Sequence, residues 1–538
     1  MDARFFITII CVKSQSEPSM KYSINILIYV VIFVMTWTVC LWGNDFPTAY
    51  HPDETGKVLQ VLGQLPRNHL HPPLLLDISK LVHEVSGKDD SLPHVVAAGR
   101  WVSATAGALA AVMLAMSAHL LVGRLAGILV GLMVGLCPAI TIFSHYMKED
   151  ALLILGIASV LLAATWYCIK PRTWSACLLA VACVFVMLAK YVGIVAMLCG
   201  IVIWLVHLKQ CPRQQRLKQL VGFGLSLVLA FLVLGYHWWI DAAQALKGLA
   251  EEWNHVNTGH FDLAYTTLGN IQYYAGHVAS MLSYWLLLPA ILSIYRLSRS
   301  KHQPLRIMSF GVLACIVIYS LMLLLSRFAT ARYAIPVVVL MTWLAGVFLG
   351  HWLTNVKRVK HRTLLGASVF LLVVGTMGFR AYQVIYQFDH DGRPAMNQWV
   401  KTNLDADAYV VEDMYCAMPD QRNPKMVELY GRWEPKIRMA RYAAVFGNLE
   451  KLHAKGVTHV AVCNYSYDRF INAPGLKPKA DDARALARVK HCRQFYSQLF
   501  EQYPIVWSHQ PRYNLPGLTS PTLYIFQLNQ GKASEEAQ

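Results

Sequence analysis

Along the first 387 residues, apolar positions come in long unbroken blocks and do not alternate with polar ones. A helix needs about 20 predominantly apolar residues to cross the roughly 30 Å hydrocarbon core of a bilayer. Stretches on that scale lie near residues 22–42, 96–121, 125–143, 150–169, 174–189, 191–208, 219–240, 281–295, 308–326, 333–353 and 364–386, about eleven in all. The fifth and sixth meet at Lys190 with almost no loop. A polar segment over residues 44–95 separates the first two.

Beyond residue 387 the blocks shorten to strand length, as in Ala408–Val411, Thr458–Val462 and Thr522–Phe526. Between them, helical signals cover Arg393–Thr402, Leu449–Lys455 (ended by Gly456) and Ala480–Gln502. Strands alternating with helices predict a small α/β domain over 388–538, with Gly531–Gln538 as a disordered tail. The expected fold is therefore an α-helical polytopic membrane domain, residues 1–387, followed by an extracytoplasmic α/β domain.

Composition excludes a soluble multidomain alternative. Of 538 residues, 56% are hydrophobic and only 15% charged, with mean hydropathy +0.39, against about 25% charged residues in soluble domains. The net charge of +17, from 48 Lys+Arg and 31 Asp+Glu, would suit a nucleic-acid surface if it were evenly spread. It is not, and no nucleic-acid partner is expected. Alternate junctions carry Arg124; Lys170 and Arg172; Lys209, Arg213, Arg216 and Lys218; Arg296, Arg299, Lys301 and Arg306; and Lys357, Arg358, Lys360 and Arg362. Asp53, Glu54, Asp77, Glu149, Asp150, Asp241, Glu251, Glu252 and Asp262 fall in the other set. Cytoplasmic loops are the Lys/Arg-rich ones, so the acidic set is expected outside. Lys13 and Lys21 precede a first span with no small-x-small cleavage site, as in a retained anchor. An odd number of spans then places the α/β domain outside the cytoplasm.

Several motifs carry little chemistry. Most of the 12 cysteines sit within spans as small apolar residues. Cys416, Cys463 and Cys492 lie in the outer domain and allow at most one disulfide among themselves. Asp405-Ala406-Asp407 imitates a nucleotide-sugar motif in a turn, on the side where nucleotide sugars are absent. Asn464-Tyr465-Ser466 is a glycosylation sequon, a frequent chance match.

The informative residues are polar groups at the outer ends of the spans: His51-Pro52-Asp53-Glu54, then His69-Leu70-His71-Pro72-Pro73-Leu74; Ser144-His145-Tyr146-Met147-Lys148-Glu149-Asp150; Ala189-Lys190-Tyr191; and Ser326 through Pro336, containing Arg327, Arg332 and Tyr333. Singly, each has a bland reading: solvated loop acids, turn histidines, or basic residues snorkelling to headgroups. His51, Asp53, His69 and His71 are also candidates for a divalent cation, although their spacing fits no standard zinc pattern. Together, carboxylates that can take a proton face Lys and Arg that can hold a phosphate. A phosphate-bearing ligand reaching them from the bilayer would carry a lipid tail.

The order of these motifs resembles the GT-C glycosyltransferases of family 39, which include dolichyl-phosphate-mannose protein mannosyltransferases and the aminoarabinose transferase of lipid A. The resemblance rests on HPDE after the first span, HPPL about 20 residues later, Arg100 opening the second span, Pro138 followed by SHYMKED, AKYVG and ARYAIP. It extends into the tail through Arg393-Pro394-Ala395, Gln398–Leu404 and Val410–Asp413. It implies transfer of a sugar from a polyprenyl phosphate to a lipid, glycan or protein acceptor on the outer face of a membrane, most simply the bacterial plasma membrane, usually with inversion. Asp53 matches the catalytic carboxylate, next to Glu54, and Asp150 the second acidic position. His71, Lys148, Lys190, Arg332 and Tyr333 match the donor-phosphate side. His71 departs from the family, since several relatives have Lys there, and so its charge depends on protonation. A secondary transporter or flippase of a phosphate-bearing lipid or anionic solute would also place charges between helices, but would show internal repeats and midplane charges. A receptor would not need so many spans.

Overall fold

The computed structural model describes residues 18–47, 50–259, 262–355, 362–420, 427, 431–472, 475–479, 482–517 and 519–528. Lys13, the basic residues 357–360 and the Gly531–Gln538 tail lie outside the described residues.

Every predicted span falls on a helix, but two are broken. Eight helices are long and apolar enough to cross a membrane by themselves: Ser23–Leu41, Leu92–Val122, Glu149–Ile169, Tyr191–Leu208, Arg213–Leu234, Gln303–Leu325, Ala331–Asn355 and Thr363–Asn403. Thr173–Ala189 is apolar but shorter. The stretch 125–143 is really Arg124–Gly135 and Pro138–Ser144, bent by 51°, where Pro138 starts a new helix because it has no N–H to continue the old one. The stretch 281–295 is the second arm of Thr267–Leu282 and Tyr284–Ser298, bent by 97°. Between the two arms Ser283 adopts φ +71, a left-handed conformation that no helix tolerates. With each bent pair counted once, ten helices among the described residues are long and apolar enough to cross, and the shorter Thr173–Ala189 brings the apolar helical segments to eleven, the number expected.

The basic junctions meet at one end of the bundle. Arg124 Nε donates to Asn25 Oδ1 at 2.9 Å, Gln215 and Gln219 both donate to Pro171 O, and Gln303 reaches Gln210. The acidic junctions gather at the other end. Helices come close where glycine removes a side chain. A Cβ on Gly350 would lie 2.4 Å from Ala126 Cβ, and one on Gly346 would lie 2.6 Å from Val130. Gly107 and Gly99 likewise let helix Leu92–Val122 lie against Ser144 and Met147, which seats the segment before Lys148 deep in the bundle.

The chain after Asp389 forms a five-stranded sheet of β2 (Tyr409–Asp413), β3 (Lys436–Ala440), β4 (His459–Cys463), β6 (Ile505–His509) and β7 (Leu523–Gln527), in the order β3-β2-β4-β7-β6. β3, β2 and β4 are parallel, with Val410 opposite Ile437 and Val411 opposite Val460; β7 runs antiparallel to β4, with Phe526 opposite Val460. All five residues of β4 are buried, because both faces are covered. Helix Ala483–Gln502 packs Phe495, Tyr496 and Leu499 on one face, and Met396 and Val400 pack on the other. β3 and β6 had no clear signal in the sequence. A two-stranded ribbon of β1 (Leu263–Tyr265) and β5 (Leu476–Pro478) ties the sheet region to the helical part. Arg393 adds a second tie: it pairs with Asp391, donates to Tyr50 O at 3.0 Å and Thr519 O at 3.2 Å, and lies 3.7 Å over the Tyr50 ring.

Candidate active site

Short polar segments interrupt or precede the helices at one end of the bundle, and the candidate residues sit on them. Helix Pro52–Val61 begins with His51 as its cap; His51 Nδ1 accepts from Asp53 N at 3.2 Å, and Pro52 occupies the first helical position. Asp53 and Glu54 share the first turn but point differently. Glu54 turns inward and is wholly buried, taking Arg100 Nε and Nη2 at 3.0 and 2.6 Å and the Met147 N–H at 2.8 Å. Arg100 also donates to Asn44 O and Phe46 O and lies 3.6 Å over the Phe46 ring. The Glu54–Arg100 pair therefore fastens the polar segment to the bundle.

Asp53 faces open space, its side chain 43% exposed. Two cations converge on its Oδ2: Lys148 Nζ at 2.5 Å and Arg332 Nη1 at 3.3 Å. Lys148 is extended, at the end of the segment that interrupts the helices, and Arg332 sits in the 3-10 turn Ala331–Ala334. Burial opposes charge on Asp53, but Lys148 and Arg332 outweigh it and hold the carboxyl well below the usual range. Glu149 and Asp150 open helix Glu149–Ile169, where the positive end of the helix dipole favours carboxylates. Glu149 pairs with Lys57, which lies one helical turn after Asp53, and Asp150 takes Lys190 Nζ at 2.6 Å. Lys190 and Arg332 flank the Tyr333 ring, 5.5 and 5.7 Å from its centre.

A cavity of about 1060 Å³ opens over these groups. His51, Asp53, His69, His71, Arg332 and Tyr333 line it; Glu54, Lys148, Asp150 and Lys190 stand behind its wall. Burial pushes both His51 and His71 down to about 3, with nearby lysines adding to the effect, so neither is charged near neutral pH. His71 can therefore offer a polar contact but no positive charge. Among the described residues, no three of His, Cys, Asp and Glu meet in a metal-holding group. The four proposed cation ligands do not assemble: His51 caps its helix and lies tilted against the Tyr146 ring, while His69 stands 5.9 Å from His237.

Several wall residues went unpredicted. Lys57 lines the cavity beside Glu149 of the expected polar segment; the four-residue spacing from Asp53 to Lys57 on a helix was the available signal. Tyr415, Asn464, Tyr465 and Arg469 reach it from the sheet region, just past the carboxyl ends of β2 and β4. In open sheets with parallel strands, ligands bind at that edge.

No family model matches this chain, and no curated protein does either. Solved structures do. ArnT from Cupriavidus metallidurans in the apo state superposes over 93% of this chain and 97% of its own at TM-score 0.50 and 14% identity. The same protein bound to undecaprenyl phosphate aligns with equal coverage and identity at TM-score 0.48. The oligosaccharyltransferase AglB from Archaeoglobus fulgidus, in complex with an inhibitory peptide and a dolichol-phosphate, aligns over 95% of this chain and 89% of its own at TM-score 0.46 and 9% identity. The likeness to apo ArnT is one of fold: a polytopic helical bundle carrying a small α/β region after it.

Proposed function

We propose that this chain is a membrane glycosyltransferase that moves a sugar from a polyprenyl-phosphate donor to an acceptor hydroxyl, with inversion, and that Asp53 is the general base. The observation that carries this reading is a solvent-facing carboxylate gripped by Lys148 and Arg332 on the wall of a large cavity at the helix ends. The shared fold with ArnT supports it.

In this reading the donor phosphate lies against Arg332 and Lys148, its lipid tail running back along the apolar helices. The acceptor enters from the sheet side of the cavity. Asp53 takes the hydroxyl proton as the acceptor oxygen attacks the anomeric carbon; the bond from that carbon to the phosphate oxygen breaks, and its electron pair stays on the phosphate. Cations stabilise that leaving group, so no second carboxylic acid is needed, unlike in glycosidases. The charge asymmetry of the spans supports a cavity and sheet region outside the cytoplasm. Glu54 holds the segment in place, and Asp150 holds Lys190.

The test is the purified protein in a membrane supplied with polyprenyl-phosphate sugar and candidate acceptors. The expected outcome is an acceptor mass increased by one sugar together with release of polyprenyl phosphate. Movement of the lipid or a solute across the membrane without any change in mass would favour a transporter.

A further inference from the structure

Resting on that reading, we propose that Asp53 and the donor phosphate compete for the same two cations, Lys148 and Arg332, so that donor binding itself frees the carboxylate to act as base.

Both cations meet one oxygen, Oδ2 of Asp53, from different elements: Lys148 from the segment before helix Glu149–Ile169, and Arg332 from the turn before helix Ala331–Asn355. A carboxylate held in this way is a poor proton acceptor, because protonating it would leave two positive charges facing a neutral group. Without donor the base is therefore disarmed. A phosphate oxygen suits the same convergence of Lys and Arg donors.

The geometry also indicates which partner yields. The Lys148 side chain is 1% exposed and fixed within the bundle, whereas Asp53 is 43% exposed at a helix start and faces the cavity. Arg332 Nε, buried, has no hydrogen-bond partner among the described residues, which leaves it a donor to spare. The neighbouring cations are held differently: Lys190 by Asp150 behind the cavity wall, and Lys57 by Glu149. An arriving phosphate would thus displace Asp53 from Lys148 and Arg332 and leave the other two pairs intact.

The cycle closes by the same exchange. Asp53 takes the acceptor proton while the phosphate holds the cations. When polyprenyl phosphate leaves, Asp53 gives its proton to water through the open cavity and returns to Lys148 and Arg332. The carboxylate is a base only while donor is present, which protects a lipid-linked sugar site from idle proton chemistry.

The test is equilibrium binding of undecaprenyl phosphate, without sugar, to the purified full chain in lipid nanodiscs. Asp53→Asn removes the competing charge and is expected to bind about tenfold to a hundredfold tighter than wild type, the scale of one hydrogen bond to a charged group. Asp53→Ser is expected to do the same if Asn packs poorly. Adding Lys148→Gln to Asp53→Asn should erase most of the gain, since the freed cation is then missing. Glu251→Gln, which removes a charge from the cavity wall away from this pair, should give little gain. Equal or weaker binding by both Asp53 variants overturns the competition; so does a gain that survives loss of Lys148, or one matched by Glu251→Gln. If wild type and every variant fail to bind the lipid, the glycosyltransferase reading itself falls, and the competition with it.

Discussion

Asp53→Asn and Glu54→Gln alter adjacent residues by the same small change and are expected to fail in different ways. Glu54 is fully buried and accepts two hydrogen bonds from Arg100 and one from Met147 N. Removing one charge of a buried pair leaves the other uncompensated and costs about 3–5 kcal/mol. That is a large share of the roughly 5–15 kcal/mol that separates typical folded and unfolded states. Glu54→Gln should therefore lower yield and unfolding temperature, while each folded molecule keeps turnover within about tenfold, as general-base help survives. Asp53 is 43% exposed and Lys148 keeps Glu149, 3.8 Å away, as a second partner, so the loss of Asp53 should lower the unfolding temperature less than that of Glu54. Its turnover should drop at least about a hundredfold, the lower end of what a positioned base contributes. The assay follows release of polyprenyl phosphate from the donor beside an unfolding curve on the same preparation, with Asp150→Asn as a third variant. Normal turnover by Asp53→Asn, with a stable but inactive Glu54→Gln or Asp150→Asn, would place the base on the wrong carboxylate. Full activity in all three would end the enzyme reading of this cluster.

The remaining expectations concern the donor, the sidedness and the sheet. Arg332→Ala should weaken donor binding about tenfold to a hundredfold, and Arg332→Lys should restore only part, because a point charge cannot replace a forked guanidinium; unchanged affinity in both would make Arg332 a headgroup anchor. A reporter fused after Gln387 should be active only outside the cytoplasm, and cytoplasmic activity there would reverse the sidedness. Burial pushes Asp413 up to about 7 against the donors Ala443 N, Tyr496 OH and Cys463 N. The folded state thus keeps a proton that the unfolded state loses near 4, and this contribution to stability falls as pH rises from about 4 to about 7. Asp413→Asn should flatten that part of the curve of unfolding temperature against pH; an unaltered slope would refute it.

The sequence announced the helices because the membrane demands long apolar blocks, and no competing pattern hides them. It could not announce the two breaks. Ser283 gives no proline or glycine signal for a right-angle turn, and Pro138 marked a helix start without revealing the bend before it. β2, β4 and β7 were legible because they are buried on both faces and read as apolar runs. β6 mixes exposed and half-buried residues, and β3 buries only Ile437 fully, so neither stood out. At the site, the residue types and their order pointed to one chemistry, but partnership is a long-range property. Nothing in the chain says that Lys148 meets Asp53, that Lys57 takes Glu149, or that Arg100 removes Glu54 from the cavity. The histidines show the same limit from the other side: a fully solvated His71 would have been a titrating cation, and its enclosure in the cavity wall, beside several lysines, keeps it neutral.

The pairing pattern has a consequence for the donor's charge. Charged side chains near the bilayer are tolerated when each is matched, and the inner cluster is almost matched. Lys57, Lys148, Lys190 and Arg332 supply four positive charges; Asp53, Glu149 and Asp150 supply three negative ones, so one positive charge is left over. Glu54 and Arg100 cancel, and His51 and His71 are neutral. A sugar joined to a lipid through one phosphate is a diester with a single negative charge, which completes the balance; a diphosphate-linked sugar would overshoot it by one. The surplus sits where Lys148 and Arg332 share one carboxylate oxygen, the point at which two donors are committed to a single acceptor. The position of the unmatched charge and the opening of the cavity thus coincide. On the proposed reading, a lipid monophosphate bound at that point would balance the four cations and three carboxylates of this inner cluster.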